Sequence, residues 1–184
     1  MKDTNDNSIE FCAFLRGVNV KGTAMKMIDV CGVFQREKME NVSSVLASGN
    51  ILFSSPQNRE HLKTILEKAL SKHFNYDAFV FLRDIEEVET IYNKNPFEAV
   101  PEFHIYSFVG ISGIEEILME EFEKVNKVKD EAALIVGGNF YWKVPKGNTI
   151  ESEFGKILGR KNLKNAFTSR NINTFEKILK KSNN

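Results

Sequence analysis

The chain has 184 residues, 42% hydrophobic and 27% charged, the composition of an ordinary globular protein with room for one generous core or two small ones. Its 25 Lys and Arg balance 25 Asp and Glu, so no net field draws it towards nucleic acid or an acidic membrane surface, and any anion site has to be local. No stretch approaches the roughly 18 apolar residues of a membrane helix. The polar start, residues 1–7, lacks an apolar signal core. Cys12 and Cys31 lack ligand or C-x-x-C spacing and read as buried reduced thiols, so the expectation is a soluble cytoplasmic protein.

Residues 9–15 form an apolar run ended by a glycine-containing loop, the pattern of a buried strand. Met27, Val30, Cys31 and Phe34 follow at helical spacing, with the helix start expected near Thr23. Residues 42–47 and 51–53 are β-rich and separated by Ser48-Gly49-Asn50, a hairpin signal. Leu62, Ile65, Leu66, Ala69 and Leu70 give a second helical stripe, and residues 78–82 a fourth strand. The first half therefore reads β-α-β-β-α-β, the order of the ferredoxin-like unit.

Residues 84–92 predict a connecting helix, and the stretch from Asn95-Pro96 to Pro101 predicts a boundary, giving lobes over 1–95 and 96–184. In the second lobe residues 104–109 read as a strand, and Ile114, Ile117, Leu118, Phe122 and Val125 as a helix. Residues 132–136 and 140–144 form a hairpin around Gly137-Gly138-Asn139, with Trp142 in the core. Phe154, Ile157 and Leu158 mark a short helix and residues 163–167 a weak strand. Ile172, Phe175, Ile178 and Leu179 mark a closing helix opened by Thr168-Ser169-Arg170-Asn171-Ile172-Asn173-Thr174. The fold class is α+β: two ferredoxin-like lobes in tandem with an added C-terminal helix.

Three polar strings interrupt these elements. Leu15-Arg16-Gly17-Val18-Asn19-Val20-Lys21-Gly22 combines two cations, an amide and two glycines ahead of a helix. Such a set can hold a phosphate or carboxylate: glycine admits the backbone, N–H groups point at the ligand, and Arg offers a bidentate fork. It lacks the spacing of a P-loop or a G-x-G-x-x-G fingerprint. An irregular connection, with Arg16 on a protein carboxylate, explains the residues equally well. Ser48-Gly49-Asn50 alone is ordinary turn chemistry. In the β-α-β-β-α-β order, however, it shares a sheet end with Arg16. The closing string suits helix capping, with Asn173-x-x-Glu176 as a capping box; capping leaves Arg170 calling for an anion at the helix start.

Other chemistry finds little support. The three histidines, His61, His73 and His104, are scattered without metal-ligand spacing, and no nucleophile elbow occurs. Glu86, Glu87 and Glu89, and the cluster Glu115, Glu116, Glu120, Glu121 and Glu123, read as solvated helix faces. The third strand, Asn50-Ile51-Leu52-Phe53-Ser54-Ser55, lacks the aromatic string of an RNA-recognition module, which weighs against nucleic acid.

With Phe14-Leu15-Arg16-Gly17-Val18-Asn19-Val20-Lys21-Gly22, Ser48-Gly49-Asn50-Ile51-Leu52-Phe53, Tyr141-Trp142-Lys143-Val144-Pro145-Lys146-Gly147 and the closing string, the chain resembles the bacterial domain-of-unknown-function family 1697. The resemblance implies a duplicated ferredoxin-like architecture in a cytoplasmic bacterial protein and brings no established activity. Family members often carry an aromatic where Ile172 stands. The reading that follows is a small anionic ligand held by Arg16, Asn19, Lys21, Ser48, Asn50, Thr168, Arg170 and Asn171, in a polar cleft where the two rims meet, with no cofactor and no metal. The alternatives are an enzyme acting on a phosphorylated or carboxylated metabolite, with Ser48 or Thr168 reacting, and a protein interaction module.

Overall fold

The computed structural model describes residues 8–18, 25–160, 162–163 and 165–183. Among them lie six helices and two four-stranded antiparallel sheets. The chain divides into two compact units, Met1–Val88 with Lys177–Asn184, and Glu89–Glu176.

The first unit contains β1 (Ile9–Arg16), α1 (Met27–Arg36), β2 (Glu40–Val45), β3 (Asn50–Ser55), α2 (Arg59–Phe74) and β4 (Phe79–Asp84), with sheet order β2-β3-β1-β4. Alternation along the strands sends Phe11, Ala13, Leu15, Ile51, Phe53, Val80 and Leu82 into one core with Val30, Val33 and Phe34 of α1 and Leu62, Leu66 and Leu70 of α2. Each fully buried leucine contributes about 2 kcal/mol of apolar burial. Cys12 and Phe14, on the other face of β1, are buried as well, which is why that strand is a continuous apolar run rather than an alternating one. Asn58 caps α2 by accepting from His61 N at 2.9 Å, and Asn75 ends it in the left-handed conformation at φ 52°.

The second unit repeats the element order with β5 (Phe103–Gly110), α4 (Ile114–Glu123), β6 (Ala132–Val136), β7 (Asn139–Pro145), α5 (Glu153–Ile157) and β8 (Phe167–Asn171), in sheet order β6-β7-β5-β8. Its core is aromatic: Phe108, Phe122, Phe140, Trp142 and Phe154 are buried together, with Phe154 edge-on to Trp142 at 5.2 Å and to Phe122 at 5.1 Å. The buried indole donates to Glu131 Oε1 at 2.9 Å, satisfying its only polar atom. Two further helices, α3 (Ile85–Asn93) and α6 (Ile172–Ser182), each run across the division between the units.

Several boundaries differ from the sequence pattern. The turn between β2 and β3 takes in residues 46–49, with Leu46 left-handed at φ 60°, so Asn50 opens the strand rather than closing the turn. The last strand is β8, Phe167–Asn171, rather than 163–167, because pairing with β5 holds Thr168, Ser169, Arg170 and Asn171 extended. That string therefore does not open the helix: Arg170 is a strand residue, and α6 begins at Ile172. The α1 helix begins at Met27, with no side-chain cap at Lys26; Thr23 lies outside the described residues. The second unit starts at Glu89, ahead of the expected boundary, and the end of α6 belongs to the first unit, where Lys181 Nζ donates to Ser44 O at 3.0 Å and Ser182 Oγ to Glu10 Oε2 at 2.6 Å. No helix among the described residues is long and apolar enough to cross a membrane.

Candidate functional site

The loop after β1 and the β2–β3 turn share one sheet end. Phe14 pairs directly with Asn50 across β1 and β3, and Leu15 N donates to Gly49 O at 2.8 Å. Arg16 stands two residues, about 7 Å, further along the strand. Strand alternation puts it on the same face as Phe14 and Asn50, and the Asn50 amide holds Ser48 Oγ at 3.0 Å, which sets Ser48 at the same sheet end. Arg16, Ser48 and Asn50 are thus neighbours at one rim.

The chemistry of that rim is set by burial. Asn50 is fully buried, and its amide donates to Val45 O at 2.9 Å and to Ser48 Oγ at 3.0 Å, fixing both the turn and the orientation of the amide. Half-burial pushes the Arg16 guanidinium below its ordinary pKa, because loss of water disfavours the charged form. The glycines are conformational requirements: Gly17 adopts φ 80° and Gly49 φ 76°, and a methyl group on Gly49 would overlap Val18 Cγ2 and stand 3.0 Å from Leu15 Cβ. Asn19 and Lys21 lie outside the described residues.

Tyr76, between α2 and β4, is a residue that motif reading missed. Its ring lies against Gly17, and its hydroxyl is buried without a hydrogen-bond partner among the described residues. Burial, with the nearby Glu67 carboxylate, pushes its pKa up to about 12, so it stays a neutral donor at ordinary pH. The only sequence signal was an aromatic between two turn formers, Asn75 and Asp77.

Thr168, Arg170 and Asn171 belong to the second unit. Arg170, 8% exposed, donates from Nη1 to Thr168 Oγ1 at 2.6 Å and to Ser169 O at 2.9 Å. Register places it opposite Ser107, which is in turn opposite Tyr141, so Arg170, Ser107 and Tyr141 form one row across three strands. Tyr141 donates from its hydroxyl to Ile91 O at 2.8 Å, and burial pushes its pKa up to about 12. Asn171 caps α6 instead of Asn173, its Oδ1 accepting from Asn173 N at 3.0 Å. Of the expected ligands, then, Arg16, Ser48 and Asn50 gather at one sheet end in the first unit, and Thr168, Arg170 and Asn171 lie on one strand in the second.

The family model for proteins of unknown function designated DUF1697 matches residues 9–141, taking in the Arg16 loop, the Ser48 turn and the start of β7. The chain belongs to the DUF1697 family. As in the sequence resemblance, membership carries no activity, and the closing string falls beyond the matched residues. Among solved structures, the chain is similar to the conserved bacterial protein SP0830 from Streptococcus pneumoniae, with TM-score 0.75 and 21% identity over 94% of this chain and 98% of that one, a likeness of fold. An unknown protein from Galdieria sulphuraria aligns over 89% of this chain and 97% of its own at 16% identity and TM-score 0.28. No curated protein matches the chain in sequence.

Proposed function

We propose that this DUF1697 protein binds a small phosphate- or carboxylate-bearing molecule at the rim where β1 ends and β2 turns into β3. The observation that carries the reading is the half-buried Arg16 at a sheet end shared with the buried Asn50, the Ser48 hydroxyl and glycine backbone at Gly17 and Gly49. A guanidinium with reduced hydration binds an anion more strongly than one in bulk water, and glycine lets the ligand reach backbone N–H groups. The strand orders support reading each unit as a ferredoxin-like lobe, an arrangement that leaves such rims open to ligand.

The two hydroxyls serve the rims as fixed polar groups: Ser48 Oγ accepts from Asn50, and Thr168 Oγ1 accepts from Arg170.

The test is calorimetric titration of the full chain with inorganic phosphate and, separately, with citrate, at constant ionic strength, alongside the Arg16→Met variant. Saturable binding to one of these anions that weakens at least tenfold in Arg16→Met is expected, with the variant's melting temperature confirming that it is folded. Binding unchanged by the substitution, or no binding of either anion, would overturn the proposal. Release of phosphate from a phosphoester panel would replace it with the enzymatic reading.

A further inference from the structure

The hydrogen bonds inside the β2–β3 turn assign different roles to its two polar side chains. Val45 O can only accept, so the Asn50 atom 2.9 Å from it is Nδ2 and not Oδ1, which fixes the orientation of the amide. The same nitrogen lies 3.0 Å from Ser48 Oγ. A primary amide carries two N–H donors, and both are committed within the turn. Asn50 thus has no N–H left for a ligand, and with 0% exposure it presents no surface to one.

Ser48 is partly exposed, and its chemistry is set by its neighbour. Because Nδ2 can only donate, Ser48 Oγ accepts, and the hydroxyl proton points away from Asn50. Accepting one bond polarises the O–H and makes it a stronger donor. Two carbonyls of the turn are engaged as well: Val45 O takes the Asn50 amide, and Gly49 O takes Leu15 N at 2.8 Å. Residues 14–22 and 45–50 contain no Asp or Glu. Asp77, the acidic residue just ahead of β4, is exposed, and β4 flanks β1 on the side opposite the turn.

A ligand oxygen that still carries a proton needs an acceptor beside it, whereas a fully ionised one needs only donors. Resting on the reading of the Arg16 rim as an anion site, we infer that the rim selects oxyanions that carry no proton, such as an ionised phosphate monoester or a carboxylate. The Ser48 hydroxyl donates to the ligand, and Asn50 is a positioning residue that acts through Ser48. The rim then discriminates by the ligand's protonation state as well as by its charge.

Sulfate and inorganic phosphate isolate that difference: at about pH 8 both are tetrahedral and doubly charged, and only phosphate keeps a proton. Calorimetric titration of the full chain at constant ionic strength should give sulfate an affinity about tenfold above that of phosphate, the scale of one hydrogen bond to a charged group. Ser48→Ala should cost most of that preference, bringing the two anions within about threefold of each other, and Ser48→Thr, which keeps the hydroxyl, should retain it. Asn50→Ala, with melting temperature and circular dichroism showing it folded, should narrow the preference in the same way. The pair Ser48→Ala and Asn50→Ala should lose no more sulfate affinity than the larger of the two single losses. Should Asn50→Ala fail to fold, the contrast between Ser48→Ala and Ser48→Thr decides. Phosphate bound as tightly as sulfate, a preference that survives Ser48→Ala, or additive losses in the pair would overturn this inference and leave an Arg16-dependent anion site standing. Binding of neither anion, or binding indifferent to Arg16→Met, would overturn the anion site and this inference together.

Discussion

Replacing Gly49 by Ala isolates the closest backbone approach at the Arg16 rim. Two costs add. Holding a residue with a Cβ at φ 76° costs about 1–2 kcal/mol. The new methyl group also overlaps Val18 Cγ2 and stands 3.0 Å from Leu15 Cβ, both in buried residues, and overpacking of that kind costs about 1–3 kcal/mol. The stiffer unfolded chain returns roughly 0.5 kcal/mol. The expected loss is therefore about 2–4 kcal/mol, read from guanidinium unfolding followed by far-ultraviolet circular dichroism at unchanged denaturant slope. Gly17→Ala is the internal control, because it shares the unit, the sheet end and a similar φ of 80°, yet among the described residues a methyl group there meets only the Tyr76 ring, at an ordinary 3.6 Å. It should lose only the conformational share. The overlap can be traced further: Val18→Ala removes the clashing methyl, so the pair Val18→Ala and Gly49→Ala should cost less than the sum of the two singles. If Gly49→Ala costs no more than Gly17→Ala, or if the two substitutions are additive, the close approach does not constrain the turn.

Two further outcomes follow from the buried polar groups. Arg170→Ala should cost about 1–3 kcal/mol, since it strips the donor from Thr168 Oγ1 and Ser169 O in a buried setting; a change in melting temperature within experimental error would show that these bonds contribute nothing. At alkaline pH the tyrosines govern stability. Tyr76 and Tyr141 hold their protons to about pH 12 in the folded chain, whereas in the unfolded chain they release them near pH 10, so the unfolded state binds fewer protons in that interval and stability falls as pH rises from 10 to 12. Spectrophotometric titration at 295 nm should show two of the four tyrosines ionising late, and Tyr141→Phe should flatten the alkaline loss; four tyrosines titrating together near pH 10 would refute the burial argument.

The order of elements was legible because it rests on periodicity. Val30, Val33 and Phe34, and Leu62, Leu66 and Leu70, carry the helical stripe, and the hairpin glycines mark the turns. From that order the meeting of Arg16 with Asn50 followed without coordinates. What failed was local. Leu46 and Ala47 look like strand residues, yet the chain turns there with Leu46 exposed and left-handed, because the buried Asn50 amide bridges Val45 O and Ser48 Oγ across the turn. Thr168, Ser169, Arg170 and Asn171 look like capping residues, and the hydrogen bonds of β5 make them a strand. Tyr76 could not be found by motif, since what distinguishes it is a hydroxyl buried without a partner among the described residues, a property of its surroundings.

The assignment of residues Lys177–Asn184 to the first unit bears on synthesis. Ser182 reaches Glu10 across a separation of 172 residues and Lys181 reaches Ser44 across 137. A ribosome delivers residues in order, so the first unit emerges early but lacks its final segment until the whole second unit has left the exit tunnel. The second unit, continuous in sequence, is free to close first. Closing contacts of such separation is entropically slow, and through that interval the unfinished unit exposes the sites its last helix will occupy. Chaperone demand during translation should therefore fall on the half of the protein that is made first.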